Sequence, residues 1–278
     1  MQGSTVVITG ATSGIGEVAA DRLAAKGARI VFVARDTARG EETLKHLRAI
    51  APQARHAVHY ADLSKLREMK RIGAAIAASE PKIDVLVNNA GAMFNARRVT
   101  EDGLEMTFAT NHMSYFVLTN LLKDRMSPGG RIVSTASDAH KGARLDFEDL
   151  QSAKNYSGFG VYGRSKLCNI LFTRELARRL AGTGITANCL HPGFVATRFG
   201  NQSGGILSVA IRAAKNFALT PEQGAETIVY LASSPDVADV TGGYFHKCRP
   251  DTPTKQAQND EDAKRLWEVS ARLAGLAA

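Results

Sequence analysis

Tyr162-Gly163-Arg164-Ser165-Lys166 sets a phenol and an ammonium four residues apart. On a helix that spacing puts both side chains on one face, with Cβ atoms about 5 to 6 Å apart. A phenol ordinarily holds its proton to about pH 10, too high for proton exchange with an alcohol at neutral pH. A neighbouring cation favours the phenolate, so Lys166 is expected to lower the Tyr162 pKa as well as to act as a ligand. The same pair also fits an exposed helix face, and alone it decides nothing.

A second group of residues suits a phosphate. An apolar run, Thr5 to Thr9, leads into Gly10-Ala11-Thr12-Ser13-Gly14-Ile15-Gly16 and then into a helical segment. Glycines at a strand-to-helix junction let the backbone turn sharply and approach a diphosphate, whose charge sits against the unpaired N–H groups of the helix start. The spacing is GxxxGxG and not the commoner GxGxxG, and a tight turn is the plain alternative. The next strand ends at Ala34-Arg35-Asp36. There an arginine pairs with an adenosine 2′-phosphate and a carboxylate with a 2′-hydroxyl. Arg35 favours NADP; Asp36 favours NAD unless it is an ordinary helix-start charge, as its place before Thr37 allows. Asp62 has the same two readings, a reach to adenine or the cap of a helix beginning near Leu63.

These groups need elements to position them. Short β-branched runs alternate with segments of helical period, the pattern of βαβ units around a parallel sheet. The predicted strands are Thr5 to Thr9, Arg29 to Ala34, His56 to Tyr60, Val85 to Asn88, Arg131 to Thr135, Ile185 to Leu190 and Tyr244 to His246. The predicted helices are Gly14 to Ala25, Thr37 to Ile50, Leu63 to Ala78, Glu101 to Arg125, Val161 to Leu180, Pro221 to Ala232 and Asp260 to Leu273. The fold class is therefore α/β: a single doubly wound, Rossmann-type parallel sheet of about seven strands with helices on both faces. In such sheets ligands bind at the carboxyl ends of the strands, so Asn88-Asn89-Ala90-Gly91, Ser134-Thr135-Ala136-Ser137 and Leu190-His191-Pro192-Gly193 all face one cleft.

No stretch reads as a linker or a repeat, and one domain over residues 1–278 is expected, with 194–218 as a substrate lid and 247–278 as a C-terminal extension. The net charge of +8 suits an anionic partner. The basic residues fall in scattered pairs such as Arg97-Arg98 without interleaved aromatics, so a nucleic-acid groove is not expected. Three widely spaced cysteines and seven histidines without ligand spacing suggest neither a disulfide framework nor a metal site, and a reducing cytoplasm fits. The residues given hold no leader, anchor or membrane span. The helix over Val161 to Leu180 either pairs between subunits of a homo-oligomer or simply covers the sheet.

Taken together, Thr9-Gly10-xxx-Gly14-Ile15-Gly16, Asn88-Asn89-Ala90-Gly91, Asn111 in Thr110-Asn111-His112, Ser137, Tyr162-xxx-Lys166 and Pro192-Gly193-Phe194-Val195-Ala196-Thr197 resemble the short-chain dehydrogenase/reductase family over nearly the whole chain. The stretch from Tyr162 to Leu176 and the tail around Leu266-Trp267-Glu268 look like its retinol-dehydrogenase-like group. The resemblance implies an oxidoreductase that interconverts an alcohol and a carbonyl compound by hydride transfer, and Arg35 points to NADPH rather than NADH as its cofactor. It implies Tyr162 as acid/base, Ser137 orienting the substrate oxygen, Lys166 on the nicotinamide ribose and Asn111 positioning a water. Cofactor contacts would come from Gly10, Ser13, Gly14, Ile15, Gly16, Arg35, Asp62, Leu63, Asn89, Ala90, Gly91, Tyr162, Lys166, Pro192, Gly193, Val195 and Thr197. The enlarged segment from Asp138 to Val161 is a surface excursion or a wall of the substrate pocket. Aromatic and aliphatic residues after Gly193 favour an apolar substrate. A nucleotide-sensing protein without turnover and a nucleotide-sugar epimerase or dehydratase are the alternatives.

Overall fold

The computed structural model describes residues 1–195 and 219–277. One eight-stranded sheet runs β3-β2-β1-β4-β5-β6-β7-β8. Its strands are β1 (Thr5–Thr9), β2 (Arg29–Ala34), β3 (Ala57–Tyr60), β4 (Ile83–Asn88), β5 (Met126–Thr135), β6 (Thr186–Leu190), β7 (Tyr244–His246) and β8 (Arg249–Asp251). All neighbours pair in parallel except β7 and β8, so the expected parallel sheet carries one antiparallel edge. The strand order reverses between β1 and β4, which opens the crevice at their carboxyl ends.

Buried strands alternate their side chains between two cores, as a period of two requires. Val6 and Ile8 of β1 and Ile30, Phe32 and Ala34 of β2 enter one core; Val7, Val31 and Val33 enter the other. The first core is closed by α1 (Gly14–Ala25), α2 (Thr37–Ile50) and the helix over Pro221–Ser233, the second by α3 (Leu66–Ser79), α5 (Ser114–Leu122) and α6 (Gly158–Arg179). The Pro221–Ser233 helix, α7, starts on the capping box that Thr220-Pro221-Glu222-Gln223 encodes. The C-terminal helix α8 (Asp260–Ala274) is capped by Asn259 and packs against α6. There Trp267 stacks on Phe172 at 5.8 Å, and Arg174 and Arg178 pair with Asp260. Of the two readings for the Val161–Leu180 segment, its own chain thus covers at least part of that helix.

Several strand and helix ends shift by one to five residues, and three larger differences from expectation bear on the site. Helix α3 begins at Leu66 and not Leu63, because the Asp62 carboxylate accepts from Ser64 N at 3.0 Å and Ser64 Oγ at 2.8 Å and holds a turn there. The continuous helix predicted over Glu101 to Arg125 is broken into a short turn α4 (Met106–Phe108), a π turn (Ala109–Met113), α5 and a 3-10 turn (Lys123–Arg125). Glu105, whose carboxylate accepts from Thr107 N and Phe108 N, starts the run five residues late and Asn111 sits inside the π turn. Strand β8 was absent from the expected set. It returns from β7 through Lys247 and Cys248, both at positive φ (48° and 60°), residue types that do not advertise such a hairpin turn.

Candidate active site

At the β1–α1 junction Gly10 has φ +73°, a conformation that favours glycine. A Cβ on Gly16 would stand 2.2 Å from the Gly10 carbonyl oxygen and 2.3 Å from Asn89 Nδ2, so only a bare backbone allows this turn to close. Ser13 occupies the N-cap position of α1 but makes no side-chain cap bond. The first-turn N–H groups of a twelve-residue helix therefore face the turn without a capping side chain, which fits a diphosphate. Asn89 ties the crevice together. Its Nδ2 donates to the Thr9 and Gly10 carbonyls at 3.2 and 3.3 Å, and its Oδ1 accepts from Thr135 Oγ1 at 3.2 Å. The Thr9 hydroxyl in turn accepts from the backbones of Asn89 and Ala90, both at 3.0 Å. The ends of β1, β4 and β5 are thus stitched into one floor.

At the adenosine end, Arg35 is exposed just beyond β2, and Asp36 is spent as the N-cap of α2, accepting from Arg39 N at 2.9 Å. Asp62 is half-buried and engaged by Ser64, with Leu63 buried beside it.

The chemical end lies past β5. Ser137 follows β5 and caps a 3-10 turn (Asp138–Gly142), its Oγ accepting from Ala139 N at 3.2 Å. It also hydrogen-bonds Tyr162, which α6 carries one helical turn before Lys166. The ammonium of Lys166 is buried, donates to the Thr135 carbonyl at 2.9 Å and lies 5.6 Å from the centre of the Tyr162 ring. Asn111 is fixed from three sides: Oδ1 accepts from Ala92 N at 2.7 Å, and Nδ2 donates to the Ala92 carbonyl and to Ser165 Oγ, both at 2.9 Å. The π turn is what brings this side chain inward, and such bulges recur at functional sites. Gly91 backs against both groups, for a Cβ there would lie 3.3 Å from Asn111 Oδ1 and 3.5 Å from Lys166 Nζ.

Pro192 and Gly193 follow β6, and Val195 pairs with Leu219 in an isolated parallel bridge. Val195 and Ile15 converge on one point: a Cβ on Gly224 of α7 would stand 2.7 Å from a methyl of each. The described residues among those expected from sequence lie in the segments that follow the carboxyl ends of β1 to β6, in the π turn or on α6. Thr197, and the 194–218 segment beyond Val195, lie outside the described residues.

The short chain dehydrogenase family profile matches residues 4–204. The chain is 41% identical to the retinol dehydrogenase 14 of Mus musculus over 99% of its own length and 87% of that protein. The chain belongs to the short-chain dehydrogenase/reductase family. Within it the chain falls in the retinol-dehydrogenase-like group, and it is an oxidoreductase acting on CH–OH groups. A crystal structure of a Mycobacterium paratuberculosis protein superposes with TM-score 0.80 at 32% identity, covering 99% of this chain and 94% of that one. A Burkholderia cenocepacia short chain dehydrogenase solved in complex with NADP does so with TM-score 0.71 at 27% identity, covering 88% and 96%.

The electrostatics of this short-chain dehydrogenase depart from the expectation for its phenol. Burial is the largest influence on Tyr162 and pushes it up to about 12, opposed by the bond from Ser137. Burial likewise pushes Lys166 down to about 7. Burial thus sets the phenol, while the Lys166 ammonium lies over its ring and bonds the Thr135 carbonyl.

Two features of the enzyme were not expected from sequence. Arg39, in the first turn of α2, reaches back to donate to the Thr12 carbonyl at 2.6 Å, placing its guanidinium against the glycine turn. The other is a cluster behind Ser137, where His191, His246 and Asp251 bring possible ligand atoms within 4.8 Å of one another. His191 Nδ1 accepts from Gly193 N at 3.3 Å, which leaves the proton on Nε2, 3.7 Å from carboxylate oxygens of both Asp138 and Asp251. The His191 and His246 rings stack at 3.9 Å, so their lone pairs run side by side and do not converge as metal ligands must. The cluster is a brace for the Pro192-Gly193 turn.

Proposed function

We propose that this enzyme is an NADP(H)-dependent dehydrogenase/reductase that interconverts an apolar alcohol and its aldehyde or ketone, with Tyr162 as the acid/base. The observation that carries the reading is the meeting of Tyr162, Ser137 and Lys166 at the carboxyl ends of β5 and β6, beside a glycine turn shaped for a diphosphate. When bound, the nicotinamide supplies or accepts the hydride. Tyr162 then gives its proton to the carbonyl oxygen in reduction, or takes the hydroxyl proton in oxidation. Ser137, already bonded to that phenol, orients the same oxygen. Lys166 and Asn111, both held by bonds to the site floor, keep the cofactor side of the crevice in register. In the cofactor-free site a phenol at about 12 stays protonated at neutral pH, which suits it to donate.

Two observations support NADP(H) over NAD(H). Asp36 is used as a helix cap, Arg35 is exposed just beyond β2, and the Arg39 guanidinium reaches the glycine turn. A 2′-phosphate there would meet two guanidinium groups. The related dehydrogenase from Burkholderia cenocepacia was solved with NADP. For the substrate, Phe159 and Phe194 are more than half exposed, one placed three residues before Tyr162 and the other next to Gly193. Large apolar side chains at these places favour an apolar carbonyl compound. The relatives named retinol dehydrogenases make all-trans-retinal the first candidate to try. The three cysteines are unpaired thiols and fit a reducing compartment, for which we propose the cytoplasm. Among the described residues no helix is long and apolar enough to cross a membrane.

The test is a panel of aldehydes and ketones, all-trans-retinal included, with NADPH and NADH in parallel, read as loss of nicotinamide absorbance. Turnover of an apolar aldehyde with NADPH, at least about tenfold better in kcat/KM than with NADH, is the expected outcome. Equal use of both cofactors would remove the role given to Arg35 and Arg39.

A further inference from the structure

Tyr115 lies on α5, one turn beyond Asn111, and is completely buried. Its ring centre is 5.8 Å from Lys166 Nζ, close to the 5.6 Å that separates the same ammonium from the ring of Tyr162. Both distances fall within the range where a ring face attracts a cation, and that attraction is strongest where water is excluded. Lys166 is only 3% exposed. From α6 it faces Tyr162 and Asn169, from β5 the Thr135 carbonyl, from α5 Tyr115, and from the end of β4 the Gly91 backbone with Asn111 beyond. Among the described residues no carboxylate forms an ion pair with it. A buried ammonium with no counter-ion is costly, and the groups available to offset that cost are one carbonyl and two aromatic faces. Tyr115 is held neutral, since burial and the neighbouring Tyr162 raise its phenol well above the ordinary value, so its contribution is that of the ring face and not of a charge.

We propose that Tyr115 is a positioning residue for the reaction, its ring acting with that of Tyr162 to keep the Lys166 ammonium protonated and in place for the cofactor. The inference rests on the reading that Lys166 serves a nicotinamide site. The ring is the working part. The Tyr115 hydroxyl has no hydrogen-bond partner among the described residues, so phenylalanine supplies the same face without burying an unpaired hydroxyl. Loss of the ring makes the charged lysine harder to maintain, so its proton leaves at lower pH.

The experiment compares Tyr115→Phe, Tyr115→Leu and Tyr115→Met with wild type, measuring the affinity for NADPH, and in parallel NADH, by nicotinamide fluorescence from about pH 4.5 to 9.5. Affinity falls as pH rises through the Lys166 titration. The expected midpoint for Tyr115→Phe equals that of wild type, whereas Tyr115→Leu and Tyr115→Met fall about one pH unit lower with both cofactors, equivalent to about 1.4 kcal/mol. Coincident midpoints for all four proteins, or a Phe variant that moves with Leu and Met, would overturn the inference. A measurement on wild type covers the case where the ring-less variants do not fold. NMR of protein labelled at lysine Cε, assigned with Lys166→Arg, should show the Lys166 methylene protons shifted upfield by the rings and the shift kept in Tyr115→Phe. An unshifted signal would equally overturn it. Turnover surviving in Tyr162→Phe would defeat the underlying reading instead. An inactive Tyr162→Phe with unmoved Tyr115 midpoints defeats this inference alone.

Discussion

The two ends of the crevice are built by opposite means. At the phosphate end the backbone does the work: Gly10 and Gly16 remove side chains so that β1 can turn into α1, and the helix start offers its own N–H groups. At the chemical end side chains do the work, and they are buried ionisable groups displaced from their ordinary pKa values, Tyr162 upward and Lys166 downward. The first kind of site is insensitive to pH and intolerant of any added atom. The second depends on proton occupancy. Each end should therefore fail in its own way when disturbed.

The largest effect is expected from Lys166→Met, which removes the cation and leaves the glycine turn untouched. It should lower kcat/KM by about a thousandfold, a loss on the order of 4 kcal/mol in transition-state stabilisation. Gly16→Val is expected next. A Cβ already collides with the Gly10 carbonyl, so NADPH affinity should fall by about a hundredfold, measured by fluorescence titration, with no change in the pH dependence of what binding remains. A variant that kept normal affinity would mean that the turn is not the phosphate site. Arg35→Ala is expected to weaken NADPH by about tenfold and NADH by less than twofold. Arg39→Ala should do the same more weakly, since that side chain is already committed to the Thr12 carbonyl.

The smallest effect concerns stability and separates the two ends most cleanly. The folded Lys166 pKa of about 7 lies below the ordinary 10.5, so between those values the unfolded chain binds the extra proton and stability rises with pH. Below about pH 7 the burial cost of the charge is fully present. The Tm advantage of cofactor-free Lys166→Met over wild type should accordingly shrink by a few degrees as pH is raised from 7 to 10. Gly16→Val should show a Tm difference from wild type that is flat across the same range.

How much of this was legible in the sequence also divides along the crevice. The glycine turn, Asn89-Ala90-Gly91 and Tyr162-xxx-Lys166 lie at strand ends or on one helix, where local spacing fixes relative position. Strands β1 and β2 and helices α1 and α2 appear with the boundaries their alternation and caps imply. Asn111 is indicated by family likeness alone, because it sits in a π turn, and such a turn leaves no periodic signal in the sequence. The brace of His191, His246 and Asp251 is drawn from the residue after β6 and from β7 and β8, and spacing along the chain does not disclose neighbours across a sheet. The Tyr162 shift follows the same division: proximity of a cation is readable from i, i+4 spacing, while the burial that raises the phenol belongs to the packed fold.

The central claim is that Tyr162 exchanges the proton of a substrate held against a bound nicotinamide. The direct measurement is single-turnover reduction of all-trans-retinal by NADPH carrying deuterium at the transferred position of the nicotinamide, for wild type and Tyr162→Phe, with cofactor affinity measured alongside. Wild type should place deuterium on the carbinol carbon, and Tyr162→Phe should bind NADPH within about twofold of wild type while transferring at least about a thousandfold more slowly. Deuterium transfer by Tyr162→Phe at a rate close to wild type would contradict the account.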